Sequence, residues 1–327
     1  MKYICVQPDV PYFHWQLQIL DQNMKKYEMF KDSISILIYD KTPSQFALDY
    51  QLKSGKSVIL IKDERSVKHR SYIPSIKPYG MKWFMKYCFH LIDGHNVFYH
   101  DCDILFTKKL NWDLLIKDPK VCYMSDTISY IGSHYIVSKS PSILTKMAEI
   151  VGIDENIVAG KVKKSGGAQY IFGKDIKMTY EFWDKIENDS VKLYGYTSSP
   201  EVKLLKGVEN IYPIQAWTSE MWSQLWNTWL YGWDSEVIRE MDFCWPMNPL
   251  KEAENKAIFH NSGVTDKHPT LFNKSKYIAN SPFGEDFSWV DNKTCSSLYT
   301  VIISEISPPV KKEIVQLEGN AKIIKNE

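Results

Sequence analysis

The sequence predicts an α/β fold with a mixed, mostly parallel sheet flanked by helices and a helical, tryptophan-rich C-terminal part. Three apolar, strand-like segments alternate with two helix-like segments near the start of the chain. These segments are residues 2–7, 13–27, 33–39, 43–52 and 57–62. Strands that alternate with helices at this spacing are typical of βαβ units, which form parallel sheets. Such sheets bind ligands beyond the carboxyl ends of their strands, so we expect functional residues there.

The composition is that of an ordinary globular chain. Of 327 residues, 44% are hydrophobic and 24% are charged, and the formal net charge is +1. A near-neutral chain has no general field that would attract nucleic acid or an anionic membrane. No apolar run is long enough for a membrane span, and the N-terminal segment is typical of a strand and not of a signal peptide. Six scattered cysteines without a CxxC pair indicate reduced thiols, so we expect a cytoplasmic protein.

Residues 96–106 carry the clearest functional pattern of the sequence. The apolar runs 97–99 and 104–106 flank two carboxylates, Asp101 and Asp103. We predict a buried strand that places both carboxylates at its carboxyl end. An ionised carboxylate away from water needs a partner, and a divalent cation such as Mg²⁺ or Mn²⁺ suits two converging carboxylates. The alternative is a turn at the end of a strand, where aspartate is common.

Hydrophobic periodicity predicts the secondary structure of the later segments. Helices are predicted over 81–91 and from Ser140-Pro141 to about residue 151, and strands over 121–126, 134–138 and 191–196. The run Gly166-Gly167-Ala168-Gln169 is predicted to open another helix, with glycines that permit close approach of the backbone to a ligand. The alternative for this run is a flexible loop.

A helix over residues 214–232 accounts for many of the tryptophans. Trp222, Trp226, Trp229 and Trp233 recur along one face, and this spacing favours a helix packed on the core. Glu220, near the start of the helix, is either an acid that meets a ligand hydroxyl or a residue that favours the helix N-terminus.

A short strand over residues 257–259 leads to His260, just before a glycine turn at Gly263. A histidine at this position is a candidate third metal ligand, although a single histidine is more often structural. Pro308-Pro309 then marks a break. We expect residues 301–327 to form a C-terminal tail.

These residues together resemble the GT-A fold glycosyltransferases, and among them the retaining type represented by glycogenin and the bacterial lipopolysaccharide galactosyltransferases. The resemblance is carried by Asp101 and Asp103 as the Asp-x-Asp motif and by His260 and Gly263 as a late His-x-x-Gly. The order of elements also matches over about residues 1–285.

The chain departs from the family pattern at two places. The family continues His-x-x-Gly with x-x-Lys-Pro-Trp, whereas this chain has one extra residue before Lys267 and lacks the tryptophan. The family also has an acidic residue before a glutamine at the head of a helix, where this chain has Ala168 before Gln169.

The resemblance implies a metal-dependent, hexosyltransferase-like enzyme that uses a nucleotide-diphosphate sugar, with uridine as the expected base. Asp101, Asp103 and His260 would hold Mn²⁺ or Mg²⁺, because mixed oxygen and nitrogen ligands suit these ions. Catalytic candidates are Gln169 and Asp126 at the donor sugar, and Glu220 or Asp234 as the base that an inverting reaction needs. A retaining reaction is favoured. Further donor-binding candidates are Gln7, Asp9, Arg70, Lys82, Lys86, Gly263 and Lys267.

We expect one catalytic domain over residues 1–300, with a nucleotide-sugar-binding half over 1–125 and an acceptor-side half over 126–300. The acceptor stays open between a glycan, a lipid, a protein and a modified nucleic acid. Two other classes also stay open: a non-catalytic carbohydrate- or nucleotide-sugar-binding protein, and a sugar nucleotidyltransferase. The latter is disfavoured because Gln7-Pro8-Asp9 follows the first strand instead of a glycine-rich, basic loop. The chain also lacks the GxGxxG and GxxxxGK[ST] motifs.

Overall fold

The computed structural model describes residues 1–205, 212–309, 312–316 and 322–326, the last two ranges as backbone alone. The strands are β1 Lys2–Pro8, β2 Ser33–Tyr39, β3 Ser57–Lys62, β4 Val97–Tyr99, β5 Ile104–Phe106, β6 Val121–Asp126, β7 Gly166–Phe172, β8 Asp234–Val237, β9 Phe243–Cys244, β10 Ile258–His260, β11 Lys312–Gln316 and β12 Lys322–Asn326. The helices are α1 Pro11–Lys26, α2 Gln45–Lys53, α3 Val67–Arg70, α4 Ile76–Cys88, α5 Ile128–Ile131, α6 Ser133–Val137, α7 Pro141–Val151, α8 Glu155–Gly160, α9 Tyr180–Thr197, α10 Pro200–Leu204, α11 Ser219–Leu230 and α12 Ser296–Ile306. Within the described ranges, every helix is too short or too polar to cross a membrane.

Seven strands form the main sheet, in the order β3-β2-β1-β4-β7-β6-β8. Parallel pairs join β1 to β2 and β4, β2 to β3, and β6 to β8. Strand β7 is antiparallel to both of its neighbours, β4 and β6. Helix α4 packs against β1 and β2, and α11 packs against β7 and β8. This mixed, mostly parallel sheet with flanking helices confirms the predicted α/β fold class.

The described residues form two compact units, each discontinuous in sequence. The first unit contains residues 1–10, 29–102 and 110–242, and with them the whole seven-stranded sheet. Its apolar core includes Phe84, Trp183 and Trp226, which are fully buried.

The second unit contains residues 11–28, 103–109 and the described chain from 243 onward. A three-stranded sheet in the order β5-β10-β9 lies within it. Its separate core includes Trp15, Phe259 and Tyr299. Helix α12 crosses residue 300, where the tail was expected to begin, while residues 310–311, 317–321 and 327 of that tail lie outside the described residues. The division at residue 125 stays a prediction.

Many of the predicted elements are confirmed. Strands β2, β3 and β6 have the predicted bounds, and α7 ends at Val151 as expected. The tryptophan helix is α11, which ends at Leu230. Trp222 and Trp226 are completely buried and Trp229 is 5% exposed, so this part of the stripe packs on the core as expected. Trp233, the fourth member of the predicted stripe, lies beyond the end of the helix.

The predicted strands over 134–138 and 191–196 are wrong, because these residues lie in α6 and at the end of α9. Residues rich in β-branched and aromatic side chains suggested strands there. In α9 the buried residues Ile186, Ser190 and Leu193 recur at helical spacing, so packing against the core decides the conformation.

The predicted helix at Gly166-Gly167-Ala168-Gln169 is also wrong, because these residues begin β7. A Cβ on Gly166 would lie 2.5 Å from the Met124 Cβ atom and 2.7 Å from the Ser125 carbonyl oxygen. Glycine is therefore needed for close contact with the neighbouring strand β6. Ala168 has a φ of 66°, and the register between β6 and β7 shifts beside it. The glycines thus mark an irregular strand.

The single strand predicted over residues 96–106 is two strands in different sheets. Strand β4 belongs to the seven-stranded sheet and β5 to the three-stranded sheet. Asp101 and Asp103 lie in the short connection between them. An apolar run on each side of the acids suits two short buried strands as well as one long strand, so periodicity does not distinguish these cases.

Gly80 in α4 provides a test of the packing in the first unit. A Cβ on Gly80 would lie 2.5 Å from Val6 Cγ1 and 3.1 Å from Ile38 Cδ1. We predict that Gly80→Ala lowers the free energy of unfolding by about 2 kcal/mol, because the site is already filled. Gly195→Ala in α9 is the matched control, because a Cβ there meets no atom within 4 Å.

We expect Gly195→Ala to raise the free energy of unfolding by up to about 1 kcal/mol, because alanine restricts the unfolded chain. Urea unfolding of the wild type and both variants measures the difference. Equal effects of the two substitutions would contradict the proposed packing of α4 on the sheet.

Candidate active site

Strand pairing in the second unit brings Asp103 and His260 together. Asp103 immediately precedes β5, and His260 is the last residue of β10. The two strands are antiparallel with His260 opposite Ile104, and the Asn261 amide donates a hydrogen bond of 2.9 Å to the Asp103 carbonyl. The His260 Nε2 atom lies 3.4 Å from Asp103 Oδ1. The predicted metal-binding pair is therefore in contact.

Lys274 contacts the other oxygen of Asp103, Oδ2. Burial opposes ionisation of this carboxyl, but the Lys274 ammonium and the His260 imidazole outweigh burial and hold the pKa of Asp103 well below its usual range. Asp103 is thus an ionised, oxygen-donating side chain at neutral pH. Because its side chain is only 12% exposed, water screens these interactions weakly.

Aromatic rings fix the orientation of the His260 imidazole. The indole of Trp245 stacks on it with ring centres 5.6 Å apart and an angle of 14°. The Phe243 ring packs edge-on, with centres 5.2 Å apart. An imidazole held in this way presents its Nε2 atom to Asp103 at little entropic cost.

A second charged cluster lies in the first unit and contains Asp101, Lys77 and Glu220. Lys77, in the first turn of α4, places its Nζ atom 3.2 Å from Asp101 Oδ1 and 3.0 Å from Glu220 Oε2. Glu220 is the second residue of α11. The side chains of Lys77 and Glu220 are 17% and 3% exposed, so both charges are removed from most of their water.

Burial and neighbouring charge oppose each other in this cluster. Burial raises the pKa of Glu220, Lys77 lowers it in part, and Asp101 raises it further. For Lys77, burial disfavours the charged form, but Asp101 and Glu220 outweigh it and raise the pKa of the ammonium well above its usual value. Lys77 is therefore a permanent cation between two acids.

Two tyrosine hydroxyls add to the environment of Lys77. Tyr99 on β4 and Tyr170 on β7 are cross-strand partners, and the hydroxyls of both contribute to the electrostatic environment of Lys77. Among the described residues, neither hydroxyl nor Glu220 Oε1 has a hydrogen-bond partner, although all three atoms are buried. Buried polar groups in folded proteins are nearly always hydrogen-bonded, so these atoms can serve a polar ligand.

Gln169, a predicted catalytic residue, lies beside Tyr170 on β7. Because side chains alternate along a strand, the two residues face opposite sides of the sheet. The Gln169 side chain is fully buried, and neither of its polar atoms has a hydrogen-bond partner in the described chain. Its placement on a strand differs from the expected helix head.

The other predicted catalytic candidates have local structural contacts. Asp126 is exposed and accepts a hydrogen bond of 3.0 Å from the Ile128 amide at the start of α5. Asp234 is bound by Lys161 at 3.0 Å and also by Lys164. Burial raises the pKa of Asp234, but the two lysines outweigh it, and the pKa is lowered.

Two predicted donor-binding residues lie at or just beyond the end of β1. Gln7 is buried within the strand. Asp9 accepts hydrogen bonds from Ser44, at 2.7 Å from its amide and 2.6 Å from its hydroxyl. Asp9 therefore holds the start of α2 against the end of β1. Gly263 and Lys267 lie in the second unit, where both are exposed and Gly263 has a φ of 81°.

The predicted basic residues already have partners within the first unit. Lys82 lies 2.9 Å from Asp184 and 2.6 Å from the buried Glu187. Arg70 lies 2.8 Å from Asp40. Lys86 lies over the Trp83 ring at 5.0 Å. These contacts are consistent with structural roles, and participation of these residues in ligand binding stays a prediction.

Sequence reasoning missed Lys77 and Lys274. Both are found only through contacts with residues that are distant in the sequence, so spacing gives no sign of them. The one local signal for Lys77 is its position in the apolar segment that contains Pro78-Tyr79-Gly80, where a lysine needs a partner. Lys274 begins a short 3-10 turn after Asn273, and its neighbours in the sequence give no comparable signal.

Comparisons with known proteins give structural neighbours alone. Neither a family model nor a curated protein sequence matches the chain. The galactosyltransferase LgtC, solved with donor and acceptor sugar analogues, is 12% identical with a TM-score of 0.46; the match covers 93% of this chain and 96% of LgtC. The glycosyltransferase GlyE of Streptococcus pneumoniae TIGR4 is 10% identical with a TM-score of 0.44, and the match covers 93% of this chain and 62% of GlyE.

The bifunctional glycosyltransferase WbbM is 7% identical with a TM-score of 0.46. That match covers 93% of this chain and 49% of WbbM, so this chain spans about half the length of WbbM. Because identity and structural similarity are low in all three comparisons, the function proposed below depends on the chain's own residues.

The ion pair of Lys77 and Glu220 provides a test of the charged cluster in the first unit. We predict that Lys77→Met lowers the free energy of unfolding by about 3 kcal/mol, because it leaves buried carboxylates without their cation. The double variant with Glu220→Gln should recover part of this loss. Urea unfolding of the four proteins in the double-mutant cycle measures the coupling.

Lys146→Met is the matched control for this cycle. Lys146 and Glu149 form a pair of 2.8 Å whose side chains are 55% and 59% exposed. Removal of such an exposed pair should change the free energy of unfolding by no more than about 1 kcal/mol. A coupling of zero between Lys77 and Glu220 would refute the buried ion pair.

Proposed function

We propose that this protein is a metal-dependent glycosyltransferase that moves a sugar from a nucleotide-diphosphate sugar, with UDP as the favoured nucleotide, to an acceptor. The observation that carries the proposal is the contact between the ionised Asp103 and His260. Asp103 is two residues after Asp101 in the chain. This contact supports the Asp-x-Asp and late histidine combination that the resemblance implies. A cytoplasmic location is part of the proposal.

Asp101, Asp103 and His260 are the proposed ligands of Mn²⁺ or Mg²⁺. Two carboxylates and an imidazole form a mixed oxygen and nitrogen donor set, which suits Mn²⁺ better than Mg²⁺. Asp101 is two residues from Asp103 in the chain, so their Cα atoms are at most about 7 Å apart. When bound, the ion neutralises charge on the diphosphate leaving group.

Lys77, Glu220, Tyr99 and Tyr170 are the proposed contacts of the donor sugar. A sugar presents several hydroxyls that both donate and accept hydrogen bonds. The Glu220 carboxylate accepts such bonds, the Lys77 ammonium donates them, and the tyrosine hydroxyls do both. A water-poor cluster of fixed polar groups gives these bonds directional specificity.

The remaining predicted roles belong to the same proposal. Gln169 and Asp126 would contact the donor sugar. The residues proposed to support nucleotide and diphosphate binding are Gln7, Asp9, Arg70, Lys82, Lys86, Gly263 and Lys267.

We propose retention of the anomeric configuration. An inverting reaction needs a carboxylate base on the acceptor side. Asp234 suits that role poorly, because two lysines lower its pKa. Glu220 is bound to Lys77, a contact that favours a binding role over proton abstraction. The anomeric configuration of the product, measured by NMR, distinguishes the two reactions.

The first experiment measures nucleotide release from a panel of nucleotide sugars with Mn²⁺, with EDTA, and with Asp103→Asn. We expect one donor to be hydrolysed slowly by the wild type with Mn²⁺. The Asp103→Asn variant should release nucleotide at least about 100-fold more slowly. Asparagine has nearly the same shape as aspartate but lacks the negative charge that binds the ion. Asp286→Asn, at an exposed acid of the second unit, is the matched control.

If the enzyme does not hydrolyse any donor without its acceptor, calorimetry with UDP and Mn²⁺ on the same proteins measures binding instead. The wild type and the Asp286 variant should bind, and the Asp103 variant should bind at least about tenfold more weakly. Equal binding by all three proteins, or by none, would refute the proposed metal site. Sugar binding without any nucleotide-dependent activity would instead indicate a non-catalytic carbohydrate-binding protein.

A further inference from the structure

Trp217 is the most exposed tryptophan of this chain. Its side chain is 61% exposed, whereas the tryptophans of the adjacent helix α11 are 5% exposed or less. A single exposed aromatic side chain is common on protein surfaces, so the contacts around this indole decide what it can bind. Trp217 lies in the short turn of residues 216–218 that leads into α11, three residues before Glu220.

The backbone of Trp217 is held by a buried tyrosine. The Tyr72 hydroxyl donates a hydrogen bond of 2.7 Å to the Trp217 carbonyl. Tyr72 is 1% exposed and stacks on Tyr194 with ring centres 4.4 Å apart. Its ring also meets the Trp217 indole edge-on at 6.2 Å. The indole therefore has a rigid support, so less entropy is lost when a ligand binds to it.

The same hydroxyl connects Trp217 to the charged cluster of the first unit. Tyr72 Oη accepts a hydrogen bond of 2.8 Å from the Glu220 amide. Glu220 in turn binds Lys77, which binds Asp101. The buried Tyr72 hydroxyl thus hydrogen-bonds both to Trp217, which carries the exposed indole, and to Glu220, the proposed sugar-binding acid at the start of α11.

A pyranose ring has the chemistry that these neighbours select. One face of the ring carries C–H groups that pack on an aromatic surface, and its rim carries hydroxyls that hydrogen-bond to acids. Exposed apolar side chains at Val67 and Ile73, which are 87% and 57% exposed, lie on the segment around Tyr72. They extend the apolar area on that segment without adding charge.

We propose that Trp217 is the acceptor platform of this protein and that it stacks on a pyranose ring of a glycan acceptor. This inference rests on the proposed glycosyltransferase function and narrows its acceptor to a glycan. Trp217 determines specificity and takes no part in the chemistry of transfer.

The test compares wild type with Trp217→Ala and Trp217→Phe on an array of immobilised glycans, followed by calorimetry with the bound glycans in solution. We expect Trp217→Ala to weaken glycan binding about tenfold or more, because the stacking surface is lost. Trp217→Phe should retain most of the affinity, because it keeps an aromatic face. Trp289→Ala is the matched control, since Trp289 is 41% exposed in the second unit and should leave binding unchanged.

Calorimetry with UDP and Mn²⁺ on the same variants separates this inference from the proposed function. Trp217→Ala should bind UDP within about twofold of the wild type, because the acceptor surface does not contact the nucleotide. Loss of UDP binding in this variant with unchanged glycan binding would assign the indole to the donor and overturn the inference. A wild type that binds no glycan, or an alanine variant that binds glycans equally well, would also overturn it.

The two proposals fail in different measurements. Glycan binding that depends on Trp217, without any UDP binding that depends on Asp103, would leave the glycan surface standing and refute the transferase. UDP binding that depends on Asp103, without any effect of the Trp217 substitutions on glycan binding, would support the transferase and refute the glycan surface. Unfolding curves of the Trp217 variants should match the wild type, because the side chain is exposed.

Discussion

Ion pairing between lysines and the two acids of the Asp-x-Asp motif is the interaction on which the proposed site depends. In the first unit Asp101 contacts Lys77, and in the second unit Asp103 contacts Lys274. Removing a carboxylate from water is unfavourable unless a cation or several hydrogen bonds replace the lost solvation. Each acid is therefore stabilised by its own lysine. The element that carries each lysine has to place the ammonium within contact distance of the carboxylate.

The elements around each pair provide that accuracy. Helix α4 brings Lys77 to its partners because Gly80 permits close packing of the helix on Val6 and Ile38. In the second unit, antiparallel pairing of β5 with β10 fixes the backbone of Asp103 against that of His260. Backbone and apolar contacts therefore hold the residues that carry the charges, so little further backbone entropy is lost when the charged side chains form their contacts. Such preorganisation is what a binding site requires.

The proposed functional residues differ in charge and exposure, and their proposed roles differ accordingly. The ionised Asp103 and the imidazole of His260 suit a divalent cation, whereas the Lys77 cluster offers donors and acceptors to neutral hydroxyls. The exposed Trp217 adds an apolar face, and the Tyr72 hydroxyl joins its backbone to that of Glu220. These properties are the basis of the role proposed above for each group of residues.

The sequence by itself determined the fold class and the principal strands of the sheet, and it singled out Asp101, Asp103 and His260 as predicted metal ligands. Local patterns suffice for these features: β2 and β3 are short apolar runs bounded by polar turns, and the Asp-x-Asp interrupts apolar runs visibly. Only the tertiary structure decided that residues 191–196 are helical, that Gly166 begins a strand, and that Lys77 and Lys274 are the partners of the acids. Each of these depends on contacts between residues far apart in the sequence, and local patterns do not encode such contacts.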